Sequence, residues 1–237
     1  MYEFICQADG RIRHDFVLET LNAIDFTNWY ENEEVHRSTI VKSIDDIKEV
    51  KGLKTIPVGS IEFVEGFYDK YLGIRDIKPI NIPEEIFKYG KRKLWYGNEK
   101  EVIQNETFCK SADRIKKFTD IIDDKTKLKE GNYLFSEVLE DLDSEWRCFV
   151  LKGKLLGVHN YINSLGSAPN LNYVETIIEK YRGLDAYTLD VGVSKKLGTV
   201  IIEIHDFFSC GLYGFNDYNK ILQMLITSHN QKLKENK

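Results

Sequence analysis

Two apolar runs near the C-terminus, each carrying a carboxylate, constrain this chain more than any other feature. Ala186 to Val193 holds Asp190, and Thr199 to Ile204 holds Glu203. Only the turn residues Ser194 to Gly198 separate them, so they read as adjacent antiparallel strands. With a side-chain period of two, Glu203 and His205 share a face, and Asp190 can join them across the pair. Carboxylates inside apolar strands are costly unless something offsets their desolvation. A hard cation such as Mg²⁺ would do so, because it takes one or two carboxylates plus phosphate oxygens. The competing reading places both acids on a solvated sheet face.

Composition bounds what surrounds these strands. The 237 residues suffice for one large domain or two small lobes, and 42% apolar with 30% charged residues is ordinary for a folded chain. A net charge of -5 argues against a general nucleic-acid binder, which needs a basic face. No apolar run reaches membrane-spanning length, and Met1 to Gly10 shows no signal peptide. Cys6, Cys109, Cys148 and Cys210 are far apart, the pattern of reduced thiols in a cytoplasmic protein rather than of a zinc site.

Strand and helix signals alternate through the first part of the chain. Tyr2 to Cys6, Val35 to Val41 and Thr55 to Val58 read as strands. Asp15 to Phe26, Ser43 to Val50 and Ile61 to Tyr68 read as helices. This predicts a small α/β lobe over residues 1–85, with its boundary in the proline-bearing stretch Asp76 to Pro83. Beyond it, Trp146 to Leu151 and Leu155 to Tyr161 flank a Lys-Gly-Lys turn and predict a hairpin. Asn172 to Tyr181 and Tyr218 to Ser228 are amphipathic, and Gln231 to Lys237 reads as a frayed tail.

Other residues in this second part could carry chemistry. Arg147 alternates with Trp146 and Cys148 inside a strand, where a guanidinium can neutralise developing phosphate charge or form a plain surface salt bridge. Lys110 follows the apolar Thr107-Phe108-Cys109, and Lys116 and Lys117 come soon after. Gly211 and Gly214 bracket Leu212-Tyr213 in a loop that suits either an ordinary turn or close backbone approach to an anion. Lys88, Lys91, Arg92 and Lys93 near Tyr89, Trp95 and Tyr96 form a basic aromatic cluster. That cluster is a solvated strand edge or a grip for single-stranded nucleic acid.

From about Lys88 onward the order of these elements resembles the ATP-grasp superfamily. It is most similar to a small clade of that family characterised by one Arg and two Lys. The matching stretches are Phe108 to Lys110, Lys116 to Thr119, Ser136 to Leu139, Ser144 to Arg147, Leu189 to Val193 and Glu203 to His205. Pro57 to Phe63 resembles the N-terminal lobe of the clade. The resemblance implies an α+β fold in which two α+β lobes grip ATP, preceded by the small α/β lobe. The ATP-grasp domain would span residues 86–237, with a nucleotide lobe to about 140 and a metal-binding lobe after it. It further implies that Lys110 and one of Lys116 or Lys117 contact phosphates. Glu137 and Val138 would meet the adenine edge, and Asp143 or Glu145 the ribose. Arg147 would stabilise the transferred phosphoryl group, and Asp190 and Glu203 would hold Mg²⁺. The family usually has Asn where this chain has His205, so Asp206 compensates, a second metal is weakly held, or His205 has an acid–base role.

The implied activity is carboxylate–amine ligation through an acylphosphate, on a small-molecule, amino-acid or peptide substrate. A phosphotransferase or a non-catalytic nucleotide-binding module of the same fold are the alternatives, besides a partner- or nucleic-acid-binding module. Tyr161, Asn163 and the stretch Ser164 to Asn170 are placed either on the acceptor side or in a plain surface loop.

Overall fold

The computed structural model describes residues 1–50, 52–163 and 165–235. In chain order the elements are β1 (Tyr2–Gln7), α1 (Asp15–Glu31), β2 (His36–Val41), β3 (Thr55–Val58) and α2 (Ile61–Leu72). Then come β4 (Leu94–Asn98), β5 (Thr107–Ser111), β6 (Thr119–Ile122), β7 (Asn132–Glu137), β8 (Leu142–Leu151) and β9 (Lys154–Asn163). The last are α3 (Leu171–Lys180), β10 (Ala186–Ser194), β11 (Gly198–Asp206) and α4 (Tyr218–Glu235). Contacts divide the chain into two compact units. One is Met1–Arg75 with Leu184–Tyr187 and Phe207–Lys237; the other is Asp76–Gly183 with Thr188–Asp206.

The first unit is built on a parallel sheet in the order β2-β1-β3. Its central strand β1 contributes Phe4, Ile5 and Cys6 to the core. Pro57 lies in β3, an edge strand, where a missing N–H is tolerated. Helix α2 starts where the Ser60 hydroxyl accepts from the Phe63 N–H at 3.3 Å, and it stops at Gly73, whose φ of 68° suits glycine. Ser43 to Val50 does not form the expected helix. The Ser43 N–H and hydroxyl both donate to Asp46 and close a 3-10 turn over Ile44–Asp46.

The C-terminal helix departs further from the sequence expectation. It continues to Glu235, and it belongs with the first unit rather than with the residues that precede it. Its last turns are held because His229 and Lys232 are buried. The His229 ring accepts from the Tyr68 hydroxyl at Nδ1 and donates from Nε2 to the Leu53 carbonyl, both at 3.0 Å. An amphipathic pattern declares an apolar face but not the surface that receives it. The loop with Gly211 and Gly214 also finds an internal use. The Leu212 and Tyr213 amides donate to one oxygen of Asp15, at 2.7 and 3.0 Å. The anion it cradles is a side chain of its own unit.

The second unit contains two four-stranded sheets, in the orders β4-β7-β5-β6 and β11-β10-β8-β9. Cys109, Ile122, Tyr133 and Phe135 form the core of the first, with Trp95 and Phe118 packed on them. The β8–β9 hairpin turns at Lys152 and Gly153, both with positive φ, as a two-residue turn of matching twist requires. The basic aromatic cluster is absorbed into this unit. Lys91 lies over the Tyr173 ring and donates to the Leu197 carbonyl, Lys93 lies over Trp95, and Trp95 stacks on Phe135. Among the described residues, no helix is long and apolar enough to cross a membrane.

Burial holds the His229 imidazole below its ordinary pKa, with the bond to the Leu53 carbonyl opposing. The folded state therefore favours neutral His229, while the unfolded chain protonates it near pH 6.5. Stability from this ring is fully present above about pH 6.5 and is lost as pH falls below that value. Tyr68→Phe leaves Nδ1 without its donor and should lower unfolding free energy by about 1–3 kcal/mol at neutral pH, read from urea titrations. An unchanged midpoint would contradict this reading of the contact.

Candidate functional site

The second sheet of the second unit concentrates charge on one face. Asp190 is in the middle of β10 and is 1% exposed. A buried carboxylate must be paired, and the neighbouring strand β8 supplies Arg147, itself 6% exposed. The guanidinium donates from Nε and Nη2 to the two Asp190 oxygens, at 2.8 and 2.7 Å. This bidentate geometry is the strongest form of such a pair.

A β-bulge adds the next group. The register of β8 and β9 shifts between Glu145 and Trp146, which makes Tyr161 the extra residue of the bulge. Bulges re-aim side chains. Here the Tyr161 hydroxyl donates to Glu145 at 2.7 Å and reaches Asp190 at 3.4 Å, with the ring 5.6 Å from the Arg147 guanidinium. Burial first, then the Asp190 and Glu145 charges, push the Tyr161 hydroxyl pKa up. It stays protonated as a donor.

On β11, Glu203 and His205 share the face, as period two dictates. The Glu203 carboxylate pairs with the Lys110 ammonium through one oxygen and with His205 Nε2 through the other. Burial pulls Lys110 down to about 8, with Asp190 opposing and Lys116 and Arg147 reinforcing. Burial pulls His205 down to about 3, so the ring is neutral.

These groups border a cavity of about 420 Å³. Its wall includes Lys110, Lys116, Glu137, Val138, Glu145, Glu203 and His205. Asp190 and Arg147 are not among the lining residues; they form the charged layer behind it. Lys117 does not line the cavity, so of the two adjacent lysines it is Lys116 that reaches it. Asp143 is engaged with Ser167 and Lys195, which leaves Glu145 as the acid at the wall. Ser164, considered for the acceptor side, lies outside the described residues.

Two polar lining residues, Arg92 and Asn81, are not among the nucleotide or metal candidates of the sequence. Arg92 donates to Ser136 Oγ at 3.3 Å and to the Gly90 and Ile201 carbonyls at 3.1 and 3.0 Å. All three partners are neutral, and burial lowers its pKa to about 10, with Glu137 opposing. Its charge remains available to an anion in the cavity. The only signal was its place in a basic run that looks solvated. Asn81 donates to the Ser111 carbonyl at 3.0 Å, and its own carbonyl receives the Ile204 N–H at 2.7 Å. Its Oδ1 is buried without a hydrogen-bond partner. Asn81 thus joins a loop to β5 and β11, which no local pattern announces.

Asp190, Glu203 and His205 each place a ligand atom within 4.8 Å of the others. A carboxylate offers about four lone-pair sites. Arg147 takes one on each Asp190 oxygen, while Lys110 and His205 take one on each Glu203 oxygen. Glu203 therefore has free oxygen capacity at the cavity, and the set fits a divalent cation that phosphate oxygens help to hold.

The model of an ATP-grasp domain family, the second family of the clade named for one Arg and two Lys, matches residues 89–224. D-alanine–D-alanine ligase from Bacillus anthracis is similar in structure, with a TM-score of 0.54 at 12% identity, covering 100% of each chain. The same ligase complexed with ATP gives a TM-score of 0.52 at 14% identity, covering 99% of each. L-amino acid ligase from Bacillus licheniformis gives a TM-score of 0.50 at 10% identity, covering 96% of this chain and 73% of that one. No curated protein matches the sequence. These likenesses show the fold, an α+β ATP-grasp arrangement, and the family match covers more than half of the residues: the chain belongs to the one-Arg, two-Lys clade of ATP-grasp domain proteins.

Proposed function

We propose that this protein is an ATP-dependent carboxylate–amine ligase that works through an acylphosphate. The observation that carries the reading is the convergence of Lys110, Lys116, Arg92, Glu203 and His205 on one cavity, backed by the Arg147–Asp190 pair. Three cations and a cation-binding carboxylate at one wall suit a polyphosphate rather than an apolar ligand. The ligases of similar fold are named for amino acids, and one of their structures is a complex with ATP.

The nucleobase end would lie at Glu137, Val138 and Leu139, where β7 ends. The Glu137 amide is committed to the Lys93 carbonyl, and its carbonyl already accepts from Ser136 Oγ. Recognition of the base edge therefore falls to the second lone pair of that carbonyl and to the Val138 backbone. Glu145 would take the ribose hydroxyls, being held in place by Tyr161. Lys110, Lys116 and Arg92 would neutralise the phosphates.

In the reaction, a substrate carboxylate oxygen attacks the γ-phosphorus, and ADP leaves. The amine then attacks the acyl carbon, loses a proton and expels inorganic phosphate. Catalysis is alignment and charge neutralisation, which fixed cations supply without reorganisation. Asp190, Glu203 and His205 would hold a divalent cation, which supplies further charge neutralisation on the phosphates when bound. Arg147 acts from behind: it fixes both Asp190 oxygens and adds positive field toward the phosphoryl group.

Glu203→Gln should reduce cation-dependent ADP formation by about a hundredfold or more while the circular dichroism spectrum is kept. Full turnover in that variant would sink the assignment. With a productive acid and amine pair, ADP, inorganic phosphate and amide should appear in equal amounts. A phosphorylated product without amide would instead make the protein a phosphotransferase.

A further inference from the structure

We infer that the C-terminal end of α1 is a docking surface for an arginine-rich segment of another protein. The surface lies wholly within the first unit and uses no residue of the cavity in the second. Helix α1 buries Val17, Thr20, Ala23 and Ile24. Its last turns present a second apolar face. Trp29 is 75% exposed and Tyr30 is 68% exposed. Phe26 stacks on Tyr30, and its ring centroid lies 6.0 Å from that of Trp29 and 5.6 Å from that of Tyr218 on α4. Four rings thus form one cluster, with two of them largely in solvent. Trp and Tyr side by side in water are the residue types that anchor protein interfaces.

The charge around these rings has one sign. From Asp15 to Val35 the chain has no Lys, Arg or His. Asp25 lies one turn before Trp29 on the same helix face, and Glu31, Glu33 and Glu34 follow the rings. Arg37 pairs with Glu34. Among the described residues, no cation pairs with Asp25, Glu31 or Glu33, and all three are exposed. A helix C-terminus carries about half a negative charge and favours Lys or Arg in its last turn, where α1 has neither. The acids are also held in place. Asn32 closes the helix with a φ of 54°, and the Glu33 N–H donates to the Asn28 carbonyl at 3.2 Å. Asn28 Oδ1 then accepts from the Val35 and His36 amides, at 2.9 and 3.0 Å.

The occupant follows from these two properties together. A guanidinium stacks on Trp and Tyr faces and forks onto carboxylates, which an ammonium does less well. Asp25 and Glu31 are six residues apart in α1, about 9 Å along its axis. Arginines three residues apart on an extended segment are about 10 Å apart, so two of them reach both acids. A second copy of this chain is disfavoured, because a two-fold interface sets the patch against itself and brings acid against acid. An apolar or acidic partner would bury the carboxylates without pairs.

The test uses the full chain and a fluorescein-labelled peptide of glycine and serine with arginine at every third position. Anisotropy titrations at low salt should show saturable binding that weakens as salt rises. Trp29→Ala combined with Tyr30→Ala should weaken it by about tenfold or more, as loss of central aromatic anchors does. Glu31→Lys combined with Glu33→Lys should weaken it at least as much, by like-charge repulsion. All four side chains are exposed, so the melting curves of both variants should match the wild type. The same peptide with glutamate at the arginine positions should not bind. No binding of the arginine peptide to the wild type, or equal affinity in both variants, would overturn the inference. So would a dimer in sedimentation that Trp29→Ala dissociates, since the patch would then join two copies of the chain. If the arginine peptide binds at α1 but ATP does not bind, the ligase reading falls and this inference stands.

Discussion

The buried pair of Arg147 and Asp190 is the constraint on which the site depends. A carboxylate 1% exposed in the middle of a strand cannot stay charged alone. Two short parallel hydrogen bonds from Arg147 keep it ionised and fix its orientation. Removing either partner would strand the other charge, at a cost of about 3–5 kcal/mol. The pair also sets the field seen by its neighbours. It opposes the lowering of the Lys110 pKa through Asp190 and reinforces it through Arg147.

Around that pair each strand of the sheet contributes one function. The middle strands β8 and β10 supply the pair itself, and β9 supplies Tyr161 through a bulge. The outer strand β11 carries Glu203 and His205 to the cavity wall. Lys110 arrives from β5 in the other sheet of the same unit and pairs with Glu203. A polyphosphate would offer Lys110 stronger partners, and Glu203 would then turn to a cation. Exchange of partners, rather than creation of new charge, is the economical route for so crowded a cluster.

Much of this was legible in the sequence for physical reasons. Period two and a short turn suffice to bring Asp190, Glu203 and His205 together. Acids inside apolar strands stand out because they violate burial preference. Lys116 and Lys117 were not separable, because only the three-dimensional path of the turn, where Lys116 has a φ of 52°, decides which one reaches the cavity. Arg92 was hidden because its neighbours are also basic, and a run of charge looks solvated. Asn81 was hidden because its contacts lie 30 residues away at Ser111 and farther still at Ile204. The position of α4 was hidden because its partner face on α1 lies near the opposite end of the chain.

The function proposed for the cavity stands or falls on whether it binds a nucleoside triphosphate through Lys110. Calorimetric titration of ATP with a divalent cation into the wild type and Lys110→Met tests this most directly. Loss of a charge-assisted contact worth about 1.5–3 kcal/mol should weaken binding by about tenfold to a hundredfold. Equal affinity in both proteins, or no binding to a folded wild type, would contradict it.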